Sequence, residues 1–146
     1  MRITVEKQKR LLTLTEGGRI LFSCPVALGA APEGPKQRAG DGRTPEGEYY
    51  VCLKKMGKYG PSLGVSYPSE ADARRAGAEE ALVACIRARA ERSERPPWGT
   101  ALGGEIFIHG GGADRDWTAG CIALSDENVK TLYDLVPLGT EIRIVP

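Results

Sequence analysis

The stretch Ile106-Phe107-Ile108-His109-Gly110-Gly111-Gly112-Ala113-Asp114-Arg115-Asp116-Trp117-Thr118-Ala119-Gly120-Cys121-Ile122-Ala123-Leu124 runs from a short apolar strand through a glycine-rich turn into a second apolar run. The strand, read as Glu105 to His109, delivers a histidine at its tip. His109 is the only histidine in the chain, which excludes mechanisms needing two imidazoles and most histidine-rich metal sites. A thiol of ordinary pKa, about 8.5, is mostly protonated at neutral pH, and a nearby imidazole can take its proton so that the thiolate attacks a carbonyl. The glycine turn lets His109 fold back over Cys121. Glycines also permit the positive φ values that expose a side chain at a turn and leave backbone N–H groups uncovered for a developing oxyanion.

Working outward, Ser125 is placed to cap a helix of about three turns carrying Val129, Leu132, Tyr133 and Val136 on one side. Pro137-Leu138-Gly139 stops it, and Glu141 to Val145 reads as a closing strand. Upstream, Ser69-Glu70-Ala71-Asp72 has the form of an N-terminal cap, and Ala78, Leu82, Cys85, Ile86 and Ala90 follow at helical spacing. Residues 70 to 93 are therefore expected to be helical, with a break at Gly77, and Pro96-Pro97 to end the helix. Gly47 to Lys54 and Leu63 to Tyr67 have strand character. Residues 29 to 47 are too rich in glycine and proline for a regular element. Ile3-Thr4-Val5, Leu12-Thr13-Leu14 and Ile20-Leu21-Phe22 are short strands of a meander.

At 146 residues the chain has the length of one domain, and residues 1 to 146 are read as such. Lysine and arginine number 20 against 19 acidic residues, so no net field recruits nucleic acid or an anionic membrane. The arginines of the helical stretch read as its solvated face. No apolar run approaches a membrane span, and no signal peptide is visible at the N-terminus. Four cysteines without a C-x-x-C pair give no zinc ribbon or redox motif. Cys24, Cys52 and Cys85 read as small buried hydrophobes, with a Cys24 to Cys52 disulfide as the alternative in an exported protein.

The central stretch resembles the YkuD-type L,D-transpeptidase catalytic domain, a family with a histidine-glycine at a strand end followed by a loop and Ser/Thr-His-Gly-Cys. His109-Gly110 and Thr118-Ala119-Gly120-Cys121 fit that frame. Gly42-Arg43-Thr44-Pro45-Glu46-Gly47-Glu48-Tyr49 is similar to the family's Thr-Pro-x-Gly-x-Phe/Tyr stretch, Leu102-Gly103 precedes the histidine strand, and Val136-Pro137-Leu138-Gly139-Thr140 is similar to its Gly-Thr-x-Val end. The family's second histidine is Ala119 here, its arginine or asparagine after the cysteine is Ala123, and the loop is shorter. Asp-Trp-Thr-x-Gly-Cys looks like a variant within the family, since nucleophile and base both survive.

The resemblance implies a mainly β, single L,D-transpeptidase-like β-sandwich domain with a helical insertion at about 69 to 97 and a short helix after the cysteine. It also implies acyl exchange on peptidoglycan stem peptides without a cofactor. Cys121 would attack a diamino-acid carbonyl, expel D-alanine and pass the acyl group from a thioester to an amine, in the periplasm or cell envelope. His109 would be base and then acid. The Gly110 carbonyl is the candidate for orienting the imidazole, with the Asp116 carboxylate as the alternative; the N–H groups of Ala119, Gly120 and Cys121 are candidates for the oxyanion. Trp117, Thr118 and Trp98 are candidates for the acyl pocket, and Arg43 and Arg115 for a substrate carboxylate. Three other readings stand beside this: a hydrolase on the same scaffold, such as an L,D-carboxypeptidase or amidase; a non-catalytic wall-binding domain; and a metal site using His109, Cys121 and Asp114 or Asp116, whose spacing matches no familiar zinc pattern.

Overall fold

The computed structural model describes residues 1–146. The N-terminal alternation forms β1 (Arg2–Glu6), β2 (Leu11–Glu16) and β3 (Arg19–Pro25), an antiparallel meander. Ile3 pairs with Leu14 and Val5 with Leu12, and all four side chains are fully buried. The period of two thus turns one face of the ribbon inward.

The chain continues through β4 (Gly47–Gly57), β5 (Gly60–Val65), β6 (Phe107–His109), β7 (Ile122–Ala123) and β8 (Glu141–Val145). Together they make one eight-stranded sheet in the order β3-β2-β1-β8-β4-β5-β6-β7. The C-terminal β8 lies between β1, to which it is parallel, and β4, to which it is antiparallel. The sheet curls until its ends meet. Just past β3, Ala27 exchanges two backbone hydrogen bonds with Ala123 of β7, at 2.8 and 2.9 Å, and Gly29 bridges Thr118. A core of 21 buried residues fills the curl. Closure by these bridges seats the irregular segment after β3 against the turn that carries Cys121.

The expected helical stretch is broken at Gly77, which sits at φ 72°, into α1 (Glu70–Arg75) and α2 (Glu80–Glu91). Ser69 and Asp72 form a reciprocal capping box at the start of α1. A satellite cluster of Ala73, Val83, Ile86 and Leu102 packs the insertion together, and Tyr49 on β4 donates a 2.7 Å hydrogen bond to Asp72. α3 (Asp126–Leu135) is capped by Ser125, whose hydroxyl accepts from the Asn128 N–H, and it buries Val129 and Leu132 against β5 and β6. β6 starts two residues later than expected because Glu105 has φ 55°, off the strand region.

All four cysteines are free thiols, so the Cys24 to Cys52 disulfide is not formed. Both are buried, and burial pushes their thiols up to about 11 and about 12 respectively. No helix is long and apolar enough to cross a membrane.

Candidate active site

β6 and β7 run parallel with Ile108 opposite Ile122 and His109 opposite Ala123. Ile108 and Ile122 belong to the core, so strand alternation turns His109 and Cys121 to the other face. The Nδ1 atom of His109 is 2.6 Å from the carbonyl oxygen of Gly110. A carbonyl can only accept, so Nδ1 carries the proton and Nε2 presents its lone pair. The imidazole is buried, stacked on Tyr59 with ring centroids 4.7 Å apart and met edge-on by Trp117 at 5.7 Å. Burial holds its pKa below the ordinary 6.5, against the opposing pull of the Gly110 bond.

Cys121 is half-buried, and its sulfur lies on the edge of β6. It accepts from the Phe107 N–H at 3.4 Å and donates to the Glu105 carbonyl at 3.6 Å; it makes no hydrogen bond to His109. Burial raises the thiol pKa, and the Phe107 N–H offsets part of this. Thiol and imidazole both therefore rest neutral near pH 7.

The turn before Cys121 is braced by Thr118. Its buried hydroxyl donates to the Cys121 carbonyl at 2.7 Å and accepts from the Gly120 N–H at 3.1 Å. Two expectations change as a result. Thr118 braces the turn before Cys121 and lines neither groove, and the Gly120 N–H is spent, which leaves the Ala119 and Cys121 N–H groups without protein partners. Gly120 itself sits at φ 142°, and a Cβ there would lie 2.7 Å from the Arg43 carbonyl oxygen, so the turn needs glycine.

Asp116 does not reach the imidazole. Its carboxylate pairs with Arg10 at 2.7 Å and accepts the Leu28 N–H at 2.9 Å, tying the glycine loop to the end of the meander. Arg43 likewise turns away: its guanidinium lies over Gly34, on the side of Lys7. Trp98 borders the same groove as Cys121. It donates its N–H to Tyr67 at 2.9 Å, packs edge-on against Phe107, and lines a groove of about 330 Å³ that opens on Cys121 between Lys36, Gly103, Glu105, Ile106 and Ala119. Trp117, with its N–H on the Gly112 carbonyl at 3.0 Å, joins Tyr59, Asp114 and Arg115 around a second groove of about 560 Å³ on the His109 side. No group of three or more His, Cys, Asp or Glu is arranged to hold a metal ion.

Sequence reading missed Tyr59, Asp126 and Lys36. Tyr59 sits at the tip of the β4–β5 hairpin, and Asp126, in the first turn of α3, accepts the Gly111 N–H at 2.9 Å. Lys36 comes from the irregular segment. None shares a local motif with His109 or Cys121; only the curl of the sheet brings them together.

Residues 1–144 match YkuD, the L,D-transpeptidase catalytic domain. The chain belongs to the YkuD family. Among solved structures, the helical cell shape determining protein Pgp2 from Campylobacter jejuni is similar at 22% identity and TM-score 0.68, covering 98% of this chain and 46% of that one. An L,D-transpeptidase from Mycobacterium smegmatis is similar at 15% identity and TM-score 0.59, covering 99% and 58%. Another from Xylanimonas cellulosilytica gives 16% and 0.57, covering 99% and 59%. These likenesses establish a shared L,D-transpeptidase-like fold, and this chain spans between 46% and 59% of those relatives' length. No curated protein matches the chain in sequence. Within the YkuD family the strand-end histidine and the Gly-Cys turn of this chain occupy one face of paired β6 and β7.

Proposed function

We propose that this YkuD domain is a cysteine acyltransferase acting on peptidoglycan stem peptides in the cell envelope, with Cys121 as nucleophile and His109 as base and acid. The observation that carries the reading is the pairing of a tautomer-fixed, neutral imidazole with a neutral thiol on the same face of β6 and β7.

In the proposed reaction the sulfur turns about χ1 away from the Glu105 carbonyl, and His109 Nε2 takes the thiol proton. The thiolate adds to the carbonyl of the stem diamino acid. The resulting oxyanion faces the Ala119 and Cys121 N–H groups; one such donor is typically worth about 3 kcal/mol of transition-state stabilisation. Collapse breaks the C–N bond, the imidazolium gives its proton to the departing amine, and D-alanine leaves. An amine from a second stem, deprotonated by His109, then attacks the thioester, and the sulfur departs with that proton. The groove at Cys121 suits the donor peptide, and the groove beyond His109, lined by Tyr59, Trp117, Asp114 and Arg115, suits an incoming amine.

A second reading, hydrolysis of the same thioester, is favoured by one observation: the His109-side groove is wide and its charged residues are exposed, so water has free access. Product analysis separates the two. Incubation with a stem tetrapeptide and an amine acceptor yields a cross-linked dimer from a transpeptidase and a tripeptide from a carboxypeptidase; an untouched tetrapeptide sinks both.

A further inference from the structure

The chain buries two lysines, Lys7 and Lys36. An ammonium has three N–H donors, and leaving one unmet at a buried charge is costly. Lys7 spends all three, on the Gly34 carbonyl at 2.9 Å, the Thr44 carbonyl at 2.8 Å and Glu46 at 3.1 Å. Lys36, with a side chain only 3% exposed, spends two, on the Arg38 carbonyl at 3.1 Å and on Asp41 at 2.8 Å.

Asp41 is itself saturated. Besides Lys36 it accepts the backbone N–H groups of Gln37, Arg38 and Arg43, at 2.8, 3.1 and 3.1 Å. Its charge is therefore spread over three amides as well as the ammonium, and Lys36 is held in place without being fully neutralised. What Lys36 borders is the Cys121 groove.

The groove wall beside it is stripped to backbone. A Cβ on Gly103 would lie 3.2 Å from Lys36 Cε and 3.1 Å from Ala39 Cα, and one on Gly104 would lie 2.4 Å from the Trp98 ring. Glycine at these two positions thus lets Lys36 and Trp98 pack flush against the groove wall.

Resting on the acyl-transfer reading of Cys121, we propose that Lys36 is a specificity-determining residue that accepts the free α-carboxylate of the donor peptide's last residue with its unspent N–H. It thereby selects peptides that end one residue beyond the scissile bond. Scissile carbonyl and terminal carboxylate are separated only by N–Cα in such a substrate, so one groove takes both.

The test is calorimetric binding of a stem tetrapeptide and of its C-terminal carboxamide to the Cys121→Ala protein, repeated with Lys36→Gln added. Gln keeps a donor for the Asp41 carboxylate but removes the charge. The free acid is expected to bind at least about tenfold more tightly than the amide, and Lys36→Gln to bring the two within about twofold. Equal binding of acid and amide by Cys121→Ala alone, which needs no Lys36 variant to fold, would overturn the proposal. So would an acid preference that survives Lys36→Gln, or binding of neither peptide. Turnover of the free acid by wild type is scored separately: tight, carboxylate-dependent binding without turnover sinks the acyl-transfer reading and leaves the Lys36 assignment standing.

Discussion

His109 Nδ1 and the carbonyl oxygen of Gly110, its own neighbour in the chain, are 2.6 Å apart, so the backbone that follows the histidine fixes which ring nitrogen is free. The orienting group commonly supplied by a carboxylate is here a carbonyl that bears no charge. An imidazolium formed in the proposed reaction would gain no ion pair from it, and burial keeps the resting ring neutral. The pH profile follows from that.

As pH falls through the lowered pKa of His109, the imidazole protonates and can no longer take the thiol proton. The acid limb of kcat/KM is therefore expected below 6.5, the ordinary imidazole value. Tyr59→Ala, which strips the stacked ring from the imidazole, relieves burial and moves that limb upward. A limb that stays put in Tyr59→Ala, measured by D-alanine release across pH, would contradict burial by Tyr59 as its cause.

Asp116→Asn should leave the acid limb where it is, because the carboxylate engages Arg10 and not His109. Its effect belongs to stability. Burial opposes ionisation of Asp116, but the hydrogen bonds from Arg10 and Leu28 prevail and hold its pKa below 3.8. A depressed carboxyl stabilises the fold above its unfolded pKa and loses that contribution as pH falls through the folded one. Wild type should thus melt higher than Asp116→Asn at pH 6, and the gap should close towards pH 2; thermal melts across that range check the sign.

His109→Gln removes the base while keeping a polar side chain of similar reach. A loss of about 10²- to 10⁴-fold in kcat is expected, with the melting temperature little changed. Retention of wild-type turnover would assign proton transfer elsewhere.

Thr118→Val deletes both braces of the nucleophile turn with almost no change of shape. Buried donors and acceptors left unmet cost about 1–3 kcal/mol each, so a measurable drop in urea stability should accompany a fall in kcat, and Thr118→Ser should restore both. A Val variant with normal kcat would mean that the turn holds Cys121 without the hydroxyl.

Much of the architecture was legible because it is written in local patterns. The alternation of Ile3, Val5, Leu12 and Leu14, the Ser69 and Ser125 caps and the stop at Pro137 each depend on neighbours in sequence, and each corresponds to an element observed. The ring order of the sheet did not. Insertion of β8 between β1 and β4 and the Ala27–Ala123 closure depend on contacts across almost the whole chain. That is also why the site was only half legible. His109, Gly110 and Cys121 sit on one strand pair and one turn, whereas Lys36 and Tyr59 arrive from segments whose own sequence says only loop and hairpin tip. Asp116, the alternative to the Gly110 carbonyl, had the right chemistry and proximity in sequence but is held by the distant Arg10, and Arg43, from the glycine- and proline-rich segment, lies over Gly34 within its own loop.

Intact-mass spectrometry of the protein after rapid mixing with a stem tetrapeptide tests the central claim most directly. Wild type is expected to gain the mass of the tripeptidyl acyl group, on Cys121 alone among the four cysteines and with release of one D-alanine, while Cys121→Ala gains nothing. No D-alanine release from wild type, or equal release from Cys121→Ala, would contradict Cys121 as the nucleophile.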